Sequence, residues 1–222
     1  MIKNFFFKTV FHFFFLLLPA SKKKSYILKI SKKNKNKLEI TTSIGCAMLC
    51  DYCPQDLIKG KASKIETKTK MDFEDLKLFL KNVPNSTVIH WSGYSEPLAH
   101  KNFPEFASYL KEKGYSQLIS TTMFGRRHTE EFMSKFDGFF SVTFHLPDDE
   151  NLMKLKVGEV YLENLEKAIR FQSSKIRSKM YFLVFGNDFQ EDVKKLIDQL
   201  VIENVIDKSL IDIRKHVHTR AG

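Results

Sequence analysis

Residues 45–54 read Gly-Cys-Ala-Met-Leu-Cys-Asp-Tyr-Cys-Pro, and they contain every cysteine in the chain: Cys46, Cys50 and Cys53. The spacing is C-x3-C-x2-C. Three thiolates on one short loop can converge on one metal centre, and thiolate is a soft ligand that suits iron–sulfur clusters or zinc. Structural zinc normally takes four protein ligands, and a four-iron cubane normally takes four thiolates. With three, one iron of a cubane has no protein partner and stays open to a small molecule. An odd number of clustered cysteines also argues against a disulfide framework and for a reducing compartment.

Outward from this loop the chain alternates strand and helix. The first strand is expected over 38–42, directly before the loop. Further strands are expected over 87–91, 117–121, 139–144, 180–185 and 210–213. Between them, helical spacing of apolar residues marks 73–83, 104–113, 160–171 and 188–201, and Thr129 is placed to cap another helix. Asp72 is expected to cap the helix carrying Phe73, Leu76, Phe79, Leu80 and Val83, and Gly114 to stop the helix before it. The polar, Lys-rich stretch 59–70 reads as a loop. Six strands with helical crossovers imply an α/β fold with a parallel sheet, its functional groups on loops at the C-terminal strand ends.

The net charge of +10 is local. Residues 1–38 hold ten Lys and no acid, and the 26 basic residues left in 39–222 balance its 26 acidic ones. A body without basic excess speaks against nucleic-acid binding. The organisation is therefore an N-terminal arm over 1–37, apolar and then Lys-rich, followed by a body over 38–222. The arm carries seven Phe in its first 20 residues. It is too short and interrupted for a spanning helix, and its amphipathic and basic character suits contact with an anionic membrane surface. A cytoplasmic protein touching the inner membrane face through residues 1–37 is the expectation.

The motif Cys46-x3-Cys50-x-Tyr52-Cys53 resembles the cluster motif of radical S-adenosylmethionine (SAM) enzymes, including the aromatic Tyr52 before the last cysteine. The resemblance implies a partial (β/α)6 TIM-type barrel over about 38–215. It also implies a [4Fe-4S] cluster on Cys46, Cys50 and Cys53, with SAM chelating the open iron through its amino and carboxylate groups. Reductive cleavage of SAM would then give a 5′-deoxyadenosyl radical that abstracts hydrogen from a substrate. A reductant protein such as a flavodoxin or ferredoxin is the implied partner.

A second stretch, Trp91-Ser-Gly-Tyr-Ser-Glu-Pro97, looks like the family's glycine-glycine-glutamate-proline segment that holds the SAM amino group. Gly93, Glu96 and Pro97 match that pattern, and Tyr94 and Ser95 depart from it. Residues 120–125 stand where relatives carry a Thr-Asn-Gly turn; Thr122 and Gly125 are present and the Asn is not. Residues 185–188 stand where the family contacts adenine through backbone. Ser141, Thr143 and His145 alternate with Phe140, Val142 and Phe144, so Ser141, Thr143 and His145 are candidates for contacts to SAM or substrate. His90, Arg126 and Arg127 are near strand ends, where an anionic substrate could meet them. Residues 218–222, His-Thr-Arg-Ala-Gly, resemble the segment that precedes a C-terminal auxiliary-cluster (SPASM or twitch) domain, which implies a truncated or split relative. Two alternatives stand beside this reading. One is a zinc-binding module with His90, His100 or His145 as fourth ligand; the other is a barrel remnant without activity.

Overall fold

The structure, a computed structural model, describes residues 36–64, 68–124, 138–175 and 179–214. Six strands form one sheet in sequence order: β1 (Lys37–Ile40), β2 (Val88–Trp91), β3 (Ser116–Thr121), β4 (Phe139–His145), β5 (Lys179–Phe185) and β6 (Ile211–Arg214). Every neighbouring pair is parallel. Helices α1 (Gln55–Ala62), α2 (Phe73–Leu80), α3 (Phe103–Glu112), α4 (Glu159–Ser173) and α5 (Glu191–Ile202) lie between them. This is the parallel sheet that the alternation implied, in the open, partial barrel that the resemblance implied. Among the described residues no helix is long and apolar enough to cross a membrane.

The strands are two-sided, and that decides where the site can be. Ile89, Trp91, Ile119, Val142, Phe144, Phe182 and Val184 are buried in one core with Leu76, Phe106, Leu110, Leu165 and Ile197 from the helices. Strand residues of the opposite parity are largely polar: Glu39, His90, Ser120 and His145 line a cavity on the other face. Period-two alternation thus puts the apolar set under the helices and leaves the polar set free for a ligand. Trp91 is fully buried, edge-on to Phe103 at 5.2 Å, and its indole N–H donates to Gln117 Oε1 at 2.8 Å. Gln117 Nε2 donates in turn to the Ala107 carbonyl, so this buried polar pair is satisfied.

Helix ends follow local chemistry. Asp72 caps α2 in a reciprocal capping box with Asp75, and Gly114, at φ +78°, follows the end of α3. Four expectations need correction. α1 occupies part of the stretch read as loop; Gln55 is its only fully buried residue, so no apolar periodicity marks it. α5 starts at Glu191 rather than 188, because extended Gln190 caps it by accepting from the N–H groups of Asp192 and Val193. Phe79 is half exposed, and Leu76 and Leu80 make the buried face of α2. A register shift between β3 and β4 opposes Gln117 to Phe139 and Leu118 to Ser141. This bulge skips Phe140, which is exposed, while Phe139 is buried against Phe103. Residues 1–35 of the N-terminal arm, the helix after Thr129, Gly125, Arg126, Arg127 and residues 218–222 lie outside the described residues, and Lys37, the last residue assigned to the arm, opens β1.

Candidate cluster and cofactor site

The loop after β1 is tied down on two sides. Toward β2, Thr41 Oγ1 donates to the Ser92 carbonyl, and the Ser95 hydroxyl contacts both Thr42 Oγ1 at 3.2 Å and the Ser43 N–H at 3.3 Å. Toward the loop after β4, the Asp51 N–H donates to the Leu152 carbonyl at 2.8 Å, and Lys154 pairs with Asp51 at 2.9 Å. Asp148 holds that second loop in shape by accepting from the N–H groups of Leu152 and Met153.

The three cysteines are free thiols, each half-buried, and all line one cavity of about 660 Å³. They feel one another electrostatically. Burial pushes the Cys50 thiol up to about 11, the hydroxyl of Tyr52 donates to it and pulls back, and the Cys46 and Cys53 thiolates add to the rise. Burial likewise raises Cys53, against a hydrogen bond from the Gln55 side chain. Three thiolates gathered in partly desolvated surroundings repel each other, and metal cations relieve that cost. A structural zinc centre takes four protein ligands, whereas a cubane binds each thiolate at a different iron and three thiolates leave one iron open. The donor set therefore fits a cluster better than zinc. His100, one of the candidate zinc ligands, lies against Phe106 and accepts the Asn102 N–H at Nδ1.

The 93–97 turn forms the facing wall. Gly93 sits at φ +95°, and a Cβ there would fall 1.9 Å from Thr41 Oγ1. Only glycine allows this turn to come so close to the end of β1. Glu96 is fully buried, and its carboxylate is completely engaged. Oε1 accepts from the Leu98 N–H at 3.0 Å and Thr121 Oγ1 at 2.7 Å; Oε2 accepts from the Thr122 N–H at 2.7 Å and Thr122 Oγ1 at 2.8 Å. Burial pushes this carboxyl above the usual range, and the four donors pull it back toward the anion. Glu96 thus ties the turn to the end of β3. Glu96→Gln puts an amide N–H against one of the backbone donors; a loss of about 2 kcal/mol in chemical denaturation is expected.

Of the residues singled out from sequence, Cys46, Cys50, Cys53, Tyr52, Gly93, Tyr94, Ser95, Glu96, Thr122 and His145 all line this cavity. Ser141 does not: it lies four residues lower on β4, beside the bulge, and does not line the cavity. Tyr52 packs on Phe185, with ring centroids 4.6 Å apart, so the 185–188 segment meets the cluster loop through that ring. Gln55, Thr41, Asp148 and Tyr161, whose hydroxyl donates to the Thr122 carbonyl, were not singled out. The Gly93 pattern gave a hint of Thr41, since a glycine facing a strand end implies a close neighbour.

Burial pulls His145 down to about 4, with the Arg214 and His90 charges adding to the shift. In the unfolded chain His titrates near 6.5. The folded state therefore binds fewer protons between about 4 and 6.5, so this stability is complete above the window and is lost as pH falls through it. The melting temperature of the metal-free protein is expected to fall from pH 7 to pH 5, and less steeply in His145→Gln.

Comparison with known proteins agrees with this geometry. The model of the radical SAM superfamily matches residues 40–200. An Fe-coproporphyrin III synthase of Methanosarcina barkeri is 31% identical over 104 residues, covering 46% of this chain and 25% of the relative. A 7-carboxy-7-deazaguanine synthase of Methanocaldococcus jannaschii is 28% identical over 168 residues, covering 70% of this chain and 67% of the relative. Among solved structures, Streptococcus suis SuiB bound to S-adenosylmethionine shares the fold. Its TM-score is 0.56 at 15% identity, over 90% of this chain and 46% of SuiB. The chain anSMEcpe with bound AdoMet aligns with TM-score 0.52 at 14% identity, over 82% of this chain and 51% of that one. The chain thus spans a quarter to two-thirds of the length of these relatives.

Proposed function

The chain belongs to the radical SAM superfamily, and from that premise we propose that it is an enzyme that binds a [4Fe-4S] cluster and SAM in the cavity between the cysteine loop and the 93–97 turn. Cys46, Cys50 and Cys53 hold the cluster. When bound, the cluster would pass one electron, received from a flavodoxin- or ferredoxin-type partner, to SAM, with methionine as the leaving group, and so would supply the means of hydrogen abstraction from a substrate.

The chain's own residues orient the cofactor. The backbone of Gly93, Tyr94 and Ser95 turns its polar groups toward the amino end of SAM, and Glu96 keeps that turn in place through Thr121 and Thr122. Tyr52 donates to the Cys50 sulfur and shields it from water with its ring on Phe185. Thr122 and His145 belong to the polar wall that takes the nucleoside or the substrate. Residues 38–222 form the catalytic barrel, and 1–37 are an arm added to it.

One observation carries this reading: the three cysteines and the glycine turn border the same cavity, and residues 41–43, which lead into the cysteine loop, are hydrogen-bonded to Ser92 and to Ser95 of the turn. The test is anaerobic reconstitution with iron and sulfide. About four irons per chain are expected, together with release of 5′-deoxyadenosine from SAM on chemical reduction. Stoichiometric zinc binding without sulfide, or a loaded cluster that leaves SAM intact, would overturn it.

A further inference from the structure

Gln55 stands two residues after Cys53, at the start of α1, and is 5% exposed. Its side chain lines the same cavity as the cysteines. Nε2 is committed: it donates to the Tyr94 carbonyl at 2.6 Å. Oε1 is different. Among the described residues it is the one buried side-chain oxygen or nitrogen without a hydrogen-bond partner. Buried polar atoms are nearly always paired, so an orphan bordering a ligand cavity points to a donor on the ligand. Turning the amide over does not remove the orphan, because it would set Oε1 against the Tyr94 carbonyl, acceptor against acceptor.

The groups around this amide narrow the donor. The Tyr94 carbonyl is an acceptor with a second lone pair to offer, and the Cys53 sulfur is an acceptor that Gln55 already approaches. A corner made of acceptors selects a group rich in N–H donors. On SAM the α-amino group, whose lone pair would go to the open iron, keeps two N–H donors that the metal makes stronger.

Resting on the SAM-binding reading above, we propose that Gln55 is a cofactor-positioning residue: Nε2 clamps the 93–97 turn to the cysteine loop, and Oε1 accepts a hydrogen bond from an N–H of the α-amino group of SAM. The side chain thereby serves both halves of the site. It fixes the wall and completes the set of acceptors for the amino group.

The test is binding, read by anaerobic titration calorimetry on the cluster-loaded full chain. Two ligands are compared: SAM, and the SAM analogue in which hydrogen replaces the α-amino group. Gln55→Met keeps the length of the side chain and removes the acceptor. It is expected to weaken SAM by roughly tenfold to a hundredfold more than it weakens the analogue, whose smaller loss reports the missing Nε2 clamp on Tyr94. Equal weakening of both ligands means that Gln55 only shapes the loop and overturns the proposal, as does unchanged SAM affinity. If Gln55→Met fails to load its cluster, Gln55→Glu decides. It keeps the acceptor and adds charge, so it should hold SAM at least as tightly relative to the analogue as the wild type does, and a lower ratio overturns the proposal. A cluster-loaded wild type that does not bind SAM sinks the functional reading, and this inference with it. A wild type that binds SAM beside an indifferent Gln55→Met sinks the inference alone.

Discussion

Alanine at Cys46, Cys50 or Cys53 is expected to abolish SAM cleavage outright, with each single replacement as damaging as all three together. The reason is geometric. Each thiolate serves a different iron, so losing one opens a second corner of the cubane and leaves the cluster on two protein bonds. The loop cannot compensate: these are the only cysteines in the chain, and no other His, Cys, Asp or Glu cluster among the described residues offers substitute ligands. Iron content after reconstitution should fall from about four per chain to roughly one or less, and 5′-deoxyadenosine production to the protein-free background. Removing a thiol costs the metal-free fold little, because all three side chains are only half-buried. The melting temperature without metal should therefore stay near that of the wild type. A variant that keeps four irons and cleaves SAM refutes the assignment.

Gly93→Ala should be the most damaging change outside the cysteines. Two costs add. At φ +95° an alanine is strained, and its Cβ would lie 1.9 Å from Thr41 Oγ1 and 3.1 Å from Thr41 Cβ. Thr41 cannot swing clear easily, since it is β-branched and its hydroxyl holds the Ser92 carbonyl. Together these amount to about 3–5 kcal/mol, or a drop of roughly 10 °C in melting temperature for a chain of this size. SAM affinity should fall with it, because the turn retreats from the cysteine loop. The double variant Thr41→Ala with Gly93→Ala removes the hydroxyl clash and keeps the φ strain. Partial recovery of stability is expected; full recovery or none would show that one of the two costs is misjudged.

The strands and the cysteine loop were legible because each carries a signal along the chain. The strand cores are short apolar runs, and the sheet needs only their order to be laid out. The cysteines and the 93–97 turn were legible from residue type and spacing. What escaped has a common cause: it is fixed by partners far away in sequence. Gln55 acquires its meaning from Tyr94, 39 residues on, and Asp148 from the loop it folds beneath Asp51. α1 buries almost nothing apolar, so no period announces it. The alternation groups Phe140 with Val142 and Phe144, but a bulge against β3 interrupts it, and nothing local in residues 139–144 marks the skipped position. Ser141 fell out of the cavity wall for a related reason, since position along the strand matters as much as the side it faces.

The brace that the loop after β4 lends to the cysteine loop has a temporal consequence. Asp51 is held by Leu152 and Lys154, about a hundred residues downstream. During synthesis the thiols leave the ribosome long before that brace exists, and closing so long a loop awaits the pairing of β3 with β4. Iron delivery in the cell therefore belongs after translation has passed Lys154. Until then the nascent chain displays three unshielded sulfurs that oxidants can reach.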